Sequence, residues 1–177
     1  FSADSMVYRT IGLLQNEIDQ LDSSDPDYYI KSGEAMENFA IETSMTKVYG
    51  SETSHFVVNE GLQIFGGYGF LEEYHLASAY RDDRINQIWE GTNEINRQII
   101  TGFMMKKALM EELPIREAVS NIDAFMSNGK LGNNDGPLAA ECETIETGKR
   151  LALFVFNEAL NTFGQDLKHE QQITEML

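Results

Sequence analysis

A chain of 177 residues that is 42% hydrophobic can bury a core, and with only three prolines it can build long helices. A net charge of −16 argues against a nucleic-acid backbone or an anionic membrane as partner. A single cysteine, Cys142, excludes an internal disulfide and a cysteine-based zinc site, and it fits a reducing compartment. No apolar stretch reaches the roughly 20 residues that cross a bilayer. Phe1 opens directly into a helical pattern, with no visible signal peptide. The start without Met and the end in mid-pattern, Gln171 to Leu177, carry the expectation of a piece of something longer.

Met6, Tyr8, Ile11, Leu14, Ile18 and Leu21 recur at spacings of two to four and predict an amphipathic helix ending near Asp22. Ser23 to Asp27 reads as a turn and then a helix start, with Pro26 at an early position. A long helix is expected from about Asp27 to Tyr49, with Ala35, Phe39, Ala40, Met45 and Val48 facing inward. Gly50 predicts a break, and Ser51 could cap a helix over 52–64 whose inner face includes Phe56, Val57 and Leu62. Gly66-Gly67-Tyr68-Gly69 should end that helix abruptly. Residues 76–83 read as a short helix and 84–89 as an extended or irregular link.

Thr92, Asn93 and Glu94 form a helix-entry signal, with Ile95, Ile99, Phe103, Met104 and Leu109 inside the helix that follows. Glu112-Leu113-Pro114 is a plausible boundary, so 1–112 and 113–177 are expected as separate regions. A helix over 115–127, a turn-rich loop over 129–137 and a long helix over 138–164 complete the chain. Ile145, Leu151, Phe154, Val155, Ala159 and Phe163 are expected inside that last helix. No period-2 run stands out. The fold class is therefore all-α, an antiparallel helical bundle with an additional helical extension.

The run from Arg81 to Arg97 is the most informative. It sets one carboxylate, Glu90, between Trp89 and Gly91. A carboxylate beside an indole loses solvation, which disfavours its charged form and raises its pKa toward the range of a general base. Gly91 would let a substrate approach the backbone closely. The plainer alternative is a solvated glutamate at a helix start with Trp89 as core. The glycine cluster at 66–69 lacks the Gly-Lys-Ser/Thr of a P-loop and the preceding strand of a dinucleotide fingerprint. It could still offer backbone N–H groups to a phosphate, or simply cap a helix. Glu52-Thr-Ser-His55 and Glu72-Glu-Tyr-His75 share the Glu-x-x-His spacing of di-iron bundles. The second follows the glycine break too closely to sit on one helical face.

The segments Gln63 to Phe70 and Tyr80 to Arg97, preceded by Ser44 to Glu52, together resemble the C-terminal helical domain of the acyl-CoA dehydrogenase family. The resemblance covers about residues 1–112, and the tail beyond Pro114 resembles the helical extension of the longer, very-long-chain members. It implies a flavoenzyme that oxidises an acyl-CoA thioester to the trans-2-enoyl-CoA. In this family a glutamate takes the α-proton while the β-hydrogen leaves as hydride to the flavin; the matching residue is Glu90. The backbone N–H of that glutamate helps to polarise the thioester carbonyl. Gly91 would lie against the acyl thioester, and Trp89, where relatives often carry Tyr or Phe, would shape the acyl pocket or pack.

Thr92 and Glu94 match positions that touch FAD, although many relatives carry Gln at the latter. Gln63, Gly66 and Gly67 match positions that meet the adenosine diphosphate part of a FAD held mainly by a neighbouring subunit, which implies a homo-oligomer. The usual acceptor of the family is an electron-transfer flavoprotein. The expected compartment is a bacterial-type cytoplasm or the mitochondrial matrix. The family also needs an N-terminal helical domain, a β-domain and an Arg-containing flavin motif, none of them in these 177 residues. The expectation is therefore a fragment that does not turn over alone. A non-catalytic assembly module on the same fold is the alternative.

Overall fold

The computed structural model describes residues 1–115, 117–119, 122 and 136–177. The helices are α1 (Ser2–Asp19), α2 (Tyr28–Asn38), α3 (Ala40–Phe65), α4 (Gly67–Phe70), α5 (His75–Arg84), α6 (Asn93–Leu109), α7 (Ala139–Phe163) and α8 (Gln171–Met176). There is no strand among the described residues. Two compact units divide the chain, Phe1–Phe103 and Met104–Leu177, and the division falls inside α6. The expected helix at 115–127 and the loop at 129–137 lie largely outside the described residues. No helix among the described residues is long and apolar enough to cross a membrane.

In the first unit α3 is the central element, lying against α1 and α5. Its buried positions are Ser44, Val48 and Ser51, four and then three residues apart and so on one helical face. Small side chains there let neighbouring helices approach closely. The seams are polar: Thr10 Oγ1 of α1 lies 3.3 Å from Thr46 Oγ1, and Ser2 Oγ lies 2.7 Å from the Tyr49 hydroxyl. Ser54 hydrogen-bonds Asp83 of α5, and His55 Nδ1 lies 3.2 Å from the other oxygen of that buried carboxylate.

The expected break at Gly50 is absent, and α3 runs unbroken through it. An interior glycine costs a helix only about 0.5–1 kcal/mol, and the buried Ser51 is held by a bond from its hydroxyl to Val48 O at 3.0 Å. The chain breaks earlier, at Phe39, between α2 and α3. At its far end α3 stops at Gly66, whose φ of 57° is the left-handed geometry that glycine adopts without penalty. The one-turn α4 then folds back tightly: a Cβ on Gly69 would stand 2.5 Å from the Leu62 carbonyl oxygen.

Several expected inward residues face out, among them Tyr8, Ile11, Met45, Phe56, Val57, Ile95 and Leu109. For Met45, Phe56 and Val57 the reason lies in α3 itself, where apolar side chains occupy more than one face, so periodicity alone cannot choose the buried one.

The second unit has a compact apolar core of Met105, Ile115, Phe156, Ala159 and Leu167. Leu160, Phe163, Ile173 and Leu177 pack around it. Only the C-terminal half of α7 contributes: Phe156 and Ala159 are buried, whereas Ile145, Leu151, Phe154 and Val155 face out, against expectation. Gly164, with φ 54°, ends α7, and a 3-10 turn over Gly164–His169 carries Leu167 into the core.

Candidate active site around Glu90

The helix α5 tightens into a 3-10 turn at Ile85–Gln87, where the Ile85 carbonyl accepts the N–H of Ile88 at 2.9 Å and of Trp89 at 3.0 Å. Two residues with positive φ follow, Glu90 at 54° and Gly91 at 87°. For a residue with a side chain that region costs about 1–2 kcal/mol, so something must hold Glu90 there. Gly91 favours glycine because its φ is left-handed, and a Cβ would also crowd Asn96 Nδ2 at 3.1 Å.

The hold comes from α3 and α6. The Gly91 carbonyl accepts Lys47 Nζ at 2.8 Å and Asn96 Nδ2 at 2.9 Å. Lys47 Nζ also donates to Asn93 Oδ1 at 2.8 Å, and the Asn93 amide lies within hydrogen-bond reach of Ser51 Oγ. Asn93, Asn96 and Ser51 are all buried. Arg97 pairs with Glu52, which also lies 3.4 Å from Asn93 Nδ2. The sequence singled out Ser51 only as a possible cap and Asn93 only as part of a helix entry, and it carried no signal for Lys47 or Asn96.

Thr92 caps α6, its hydroxyl oxygen accepting the Ile95 N–H at 3.2 Å. The Glu94 carboxyl is held below its ordinary value of 4.5, first by its own backbone N–H, then by the Thr92 hydroxyl and by the charges of Arg97 and Arg84. A depressed carboxyl stabilises the fold above its unfolded value, and that contribution is lost as pH falls through the lower folded value. Acid loss of the α6 cap should therefore begin below pH 4.5. A carbon-detected NMR titration of Glu94 checks this; a midpoint at or above 4.5 would contradict the cap.

A cleft of about 310 Å³ between α3 and the 85–90 link is lined by Thr46, Lys47, Ser51, Asn86, Trp89 and Glu90 among others. Glu90 and Gly91 are exposed, and Trp89 is 54% exposed. The shielding expected from the indole is not seen in this chain, where Glu90 is itself exposed. Thr92 and Glu94 join Glu90 in this one turn.

Gln63, Gly66 and Gly67 do not. Gly66 lies 15 residues beyond Ser51 (66 − 51), just past the end of α3, which is about 22 Å at 1.5 Å per residue. Around Gly66 and Gly67 a Cβ would meet nothing within 4 Å, so bare backbone lies open to approach. The Glu-x-x-His pairs point elsewhere. Glu52 is engaged by Arg97, His55 by Asp83 and Tyr80, and Glu72 by Arg81. No group of three potential metal ligands forms among the described residues.

An all-helical unit with a glutamate–glycine turn entering its last helix matches the family model described as acyl-CoA dehydrogenase, C-terminal domain, over residues 3–105. The chain belongs to the acyl-CoA dehydrogenase family. It is 40% identical over 174 residues to a probable acyl-CoA dehydrogenase of Bacillus subtilis, covering 98% of this chain and 29% of that protein. Against a butyryl-CoA dehydrogenase of Syntrophomonas wolfei it is 40% identical over 140 residues, covering 76% of this chain and 21% of the relative. A crystal structure of an acyl-CoA dehydrogenase complexed with FAD from Bacillus anthracis superposes with a TM-score of 0.90 at 37% identity, covering 98% of this chain and 30% of that one. The chain thus spans under a third of the length of each of these relatives.

Proposed function

We propose that the chain is the C-terminal helical part of a FAD-dependent acyl-CoA dehydrogenase in which Glu90 is the base. The observation that carries this is the left-handed Glu90–Gly91 turn, held from α3 and α6 with its carboxylate facing open space. Glu90 takes the α-proton of an acyl-CoA thioester onto a carboxylate oxygen. Its backbone N–H donates to the thioester oxygen as negative charge develops there. The β-hydrogen departs with its electron pair, a C2–C3 double bond forms, and the product is the trans-2-enoyl-CoA. FAD, when bound, supplies the acceptor for that hydride. Gly91 leaves room for the thioester, Trp89 shapes the acyl pocket, and the bound acyl chain excludes water from the carboxylate.

The residues present fit FAD. The open backbone at Gly66 and Gly67, with exposed Gln63 beside it, suits close approach of a pyrophosphate. Thr92 and Glu94 would meet the cofactor near the base. Gln63, Gly66 and Gly67 lie at the far end of α3 from Ser51, and the resemblance gives them the FAD of a neighbouring subunit, so one chain would serve two different FAD molecules, as in a homo-oligomer. Exposed Phe56, Ile64, Tyr68 and Phe70 in the first unit fit burial against another subunit or domain. An electron-transfer flavoprotein is the acceptor this reading implies.

The test uses the complete protein that carries this chain. Anaerobic addition of acyl-CoAs of graded length should bleach its flavin, and the profile names the substrate. The 177-residue chain by itself should give no acyl-CoA oxidation. Absence of bound flavin, or of bleaching with every acyl-CoA, would favour the assembly module instead.

A further inference from the structure

We infer that Lys47 is a positioning residue for the base: it locks the Glu90–Gly91 turn by clamping the Gly91 carbonyl from α3. This rests on the reading of Glu90 as the base and adds a residue that acts through the Gly91 carbonyl. Glu90 lies between two anchored peptides. On its N-terminal side the Trp89 N–H is bonded to the Ile85 carbonyl at 3.0 Å. On its C-terminal side the Gly91 carbonyl takes two donors, Lys47 Nζ at 2.8 Å and Asn96 Nδ2 at 2.9 Å.

The two donors are not equivalent. Asn96 is only five residues from Gly91 and its Nδ2 is shared with the Thr92 carbonyl at 3.0 Å, so it is part of the turn. Lys47 comes from 44 residues away on another helix and carries a full charge, which makes its bond the stronger kind. It is the donor that ties the turn to the scaffold. Its ammonium is aimed by the buried Asn93, which Ser51 in turn holds. A residue with a side chain keeps a positive φ only where its surroundings over-determine it. Removal of the Lys47 clamp leaves the Gly91 carbonyl with Asn96, a donor inside the turn, so the turn loses this tie to α3 and Glu90 is freer to relax away from its left-handed geometry. As the turn shifts against α3, the carboxylate and the backbone N–H of Glu90 shift with it, whereas the glycines and Gln63 at the far end of α3 do not.

The experiment compares Lys47→Met, Lys47→Arg and Glu90→Gln in the complete flavin-loaded protein. In Lys47→Met the rate of flavin bleaching at saturating acyl-CoA should fall on the order of 10–100-fold, the scale of a misplaced reacting group. Flavin content and acyl-CoA affinity should stay near wild type. Lys47→Arg, which keeps a cationic donor, should recover most of the rate. A wild-type bleaching rate in Lys47→Met beside an inactive Glu90→Gln would overturn the clamp and leave the base standing. An active Glu90→Gln would instead remove the base reading itself. Loss of bound flavin in both Lys47 variants would assign the residue to folding and likewise overturn the positioning role.

Discussion

Glu90→Gln should lose flavin bleaching by acyl-CoA on the order of 10³-fold, within the 10²–10⁴ that a general base contributes. That corresponds to about 3–5 kcal/mol of barrier. The size of the effect follows from what the substitution leaves alone. Glutamine has nearly the same shape, so the turn, the Gly91 carbonyl clamp and the backbone N–H at position 90 all remain. Only the ability to accept a proton goes. Stopped-flow spectroscopy with a saturating substrate separates the two contributions. Acyl-CoA should still bind and perturb the flavin spectrum, but reduction should stall. A Glu90→Gln protein that is reduced at more than about a tenth of the wild-type rate would show that another group takes the proton.

The largest expected loss of stability lies in the second unit. Phe156 is 2% exposed and sits in the cluster of Met105, Ile115, Ala159 and Leu167. Phe156→Ala should cost about 3–5 kcal/mol, from lost transfer energy and from the cavity that rigid neighbours cannot close. Two residues earlier on the same helix, Phe154 is 38% exposed and makes the control. Phe154→Ala should cost less, because more than a third of that residue stays in water on folding and it is not part of the closed cluster. Urea unfolding followed by helical circular dichroism measures both, read as midpoint shifts at constant slope. Equal shifts in the two variants would refute the assignment of Phe156 to the core.

The helices were legible in the sequence wherever periodicity and a terminating residue agreed. Gly66 marked the end of α3 because only a residue without Cβ enters that torsion freely, and Thr92 marked the start of α6 because its hydroxyl meets a free N–H. Gly50 misled because a single interior glycine costs a helix only about 0.5–1 kcal/mol, too little to break α3. The burial of α3 was misread because Phe56 and Val57 are apolar yet face away from the Ser44–Val48–Ser51 stripe.

At the site, the one-dimensional run from Trp89 to Glu94 named the turn. It could not show that Glu90 itself takes a positive φ, since nothing about a glutamate announces it. Nor could it bring Lys47 to Gly91, a contact across 44 residues that exists only once α3 and the turn meet. Nor does adjacency to Trp89 bury Glu90, which is exposed in this chain: neighbours in sequence need not cover one another.

That exposed indole has a practical consequence. Trp89 is the single tryptophan of the chain, half-exposed at the residue before Glu90. Its fluorescence therefore reports on one place without any label. Emission from a solvated indole is red, and it shifts blue when water leaves the ring. Any partner, cofactor or acyl chain that closes over the turn would change the colour of this one lamp, and a flavin nearby would dim it by energy transfer.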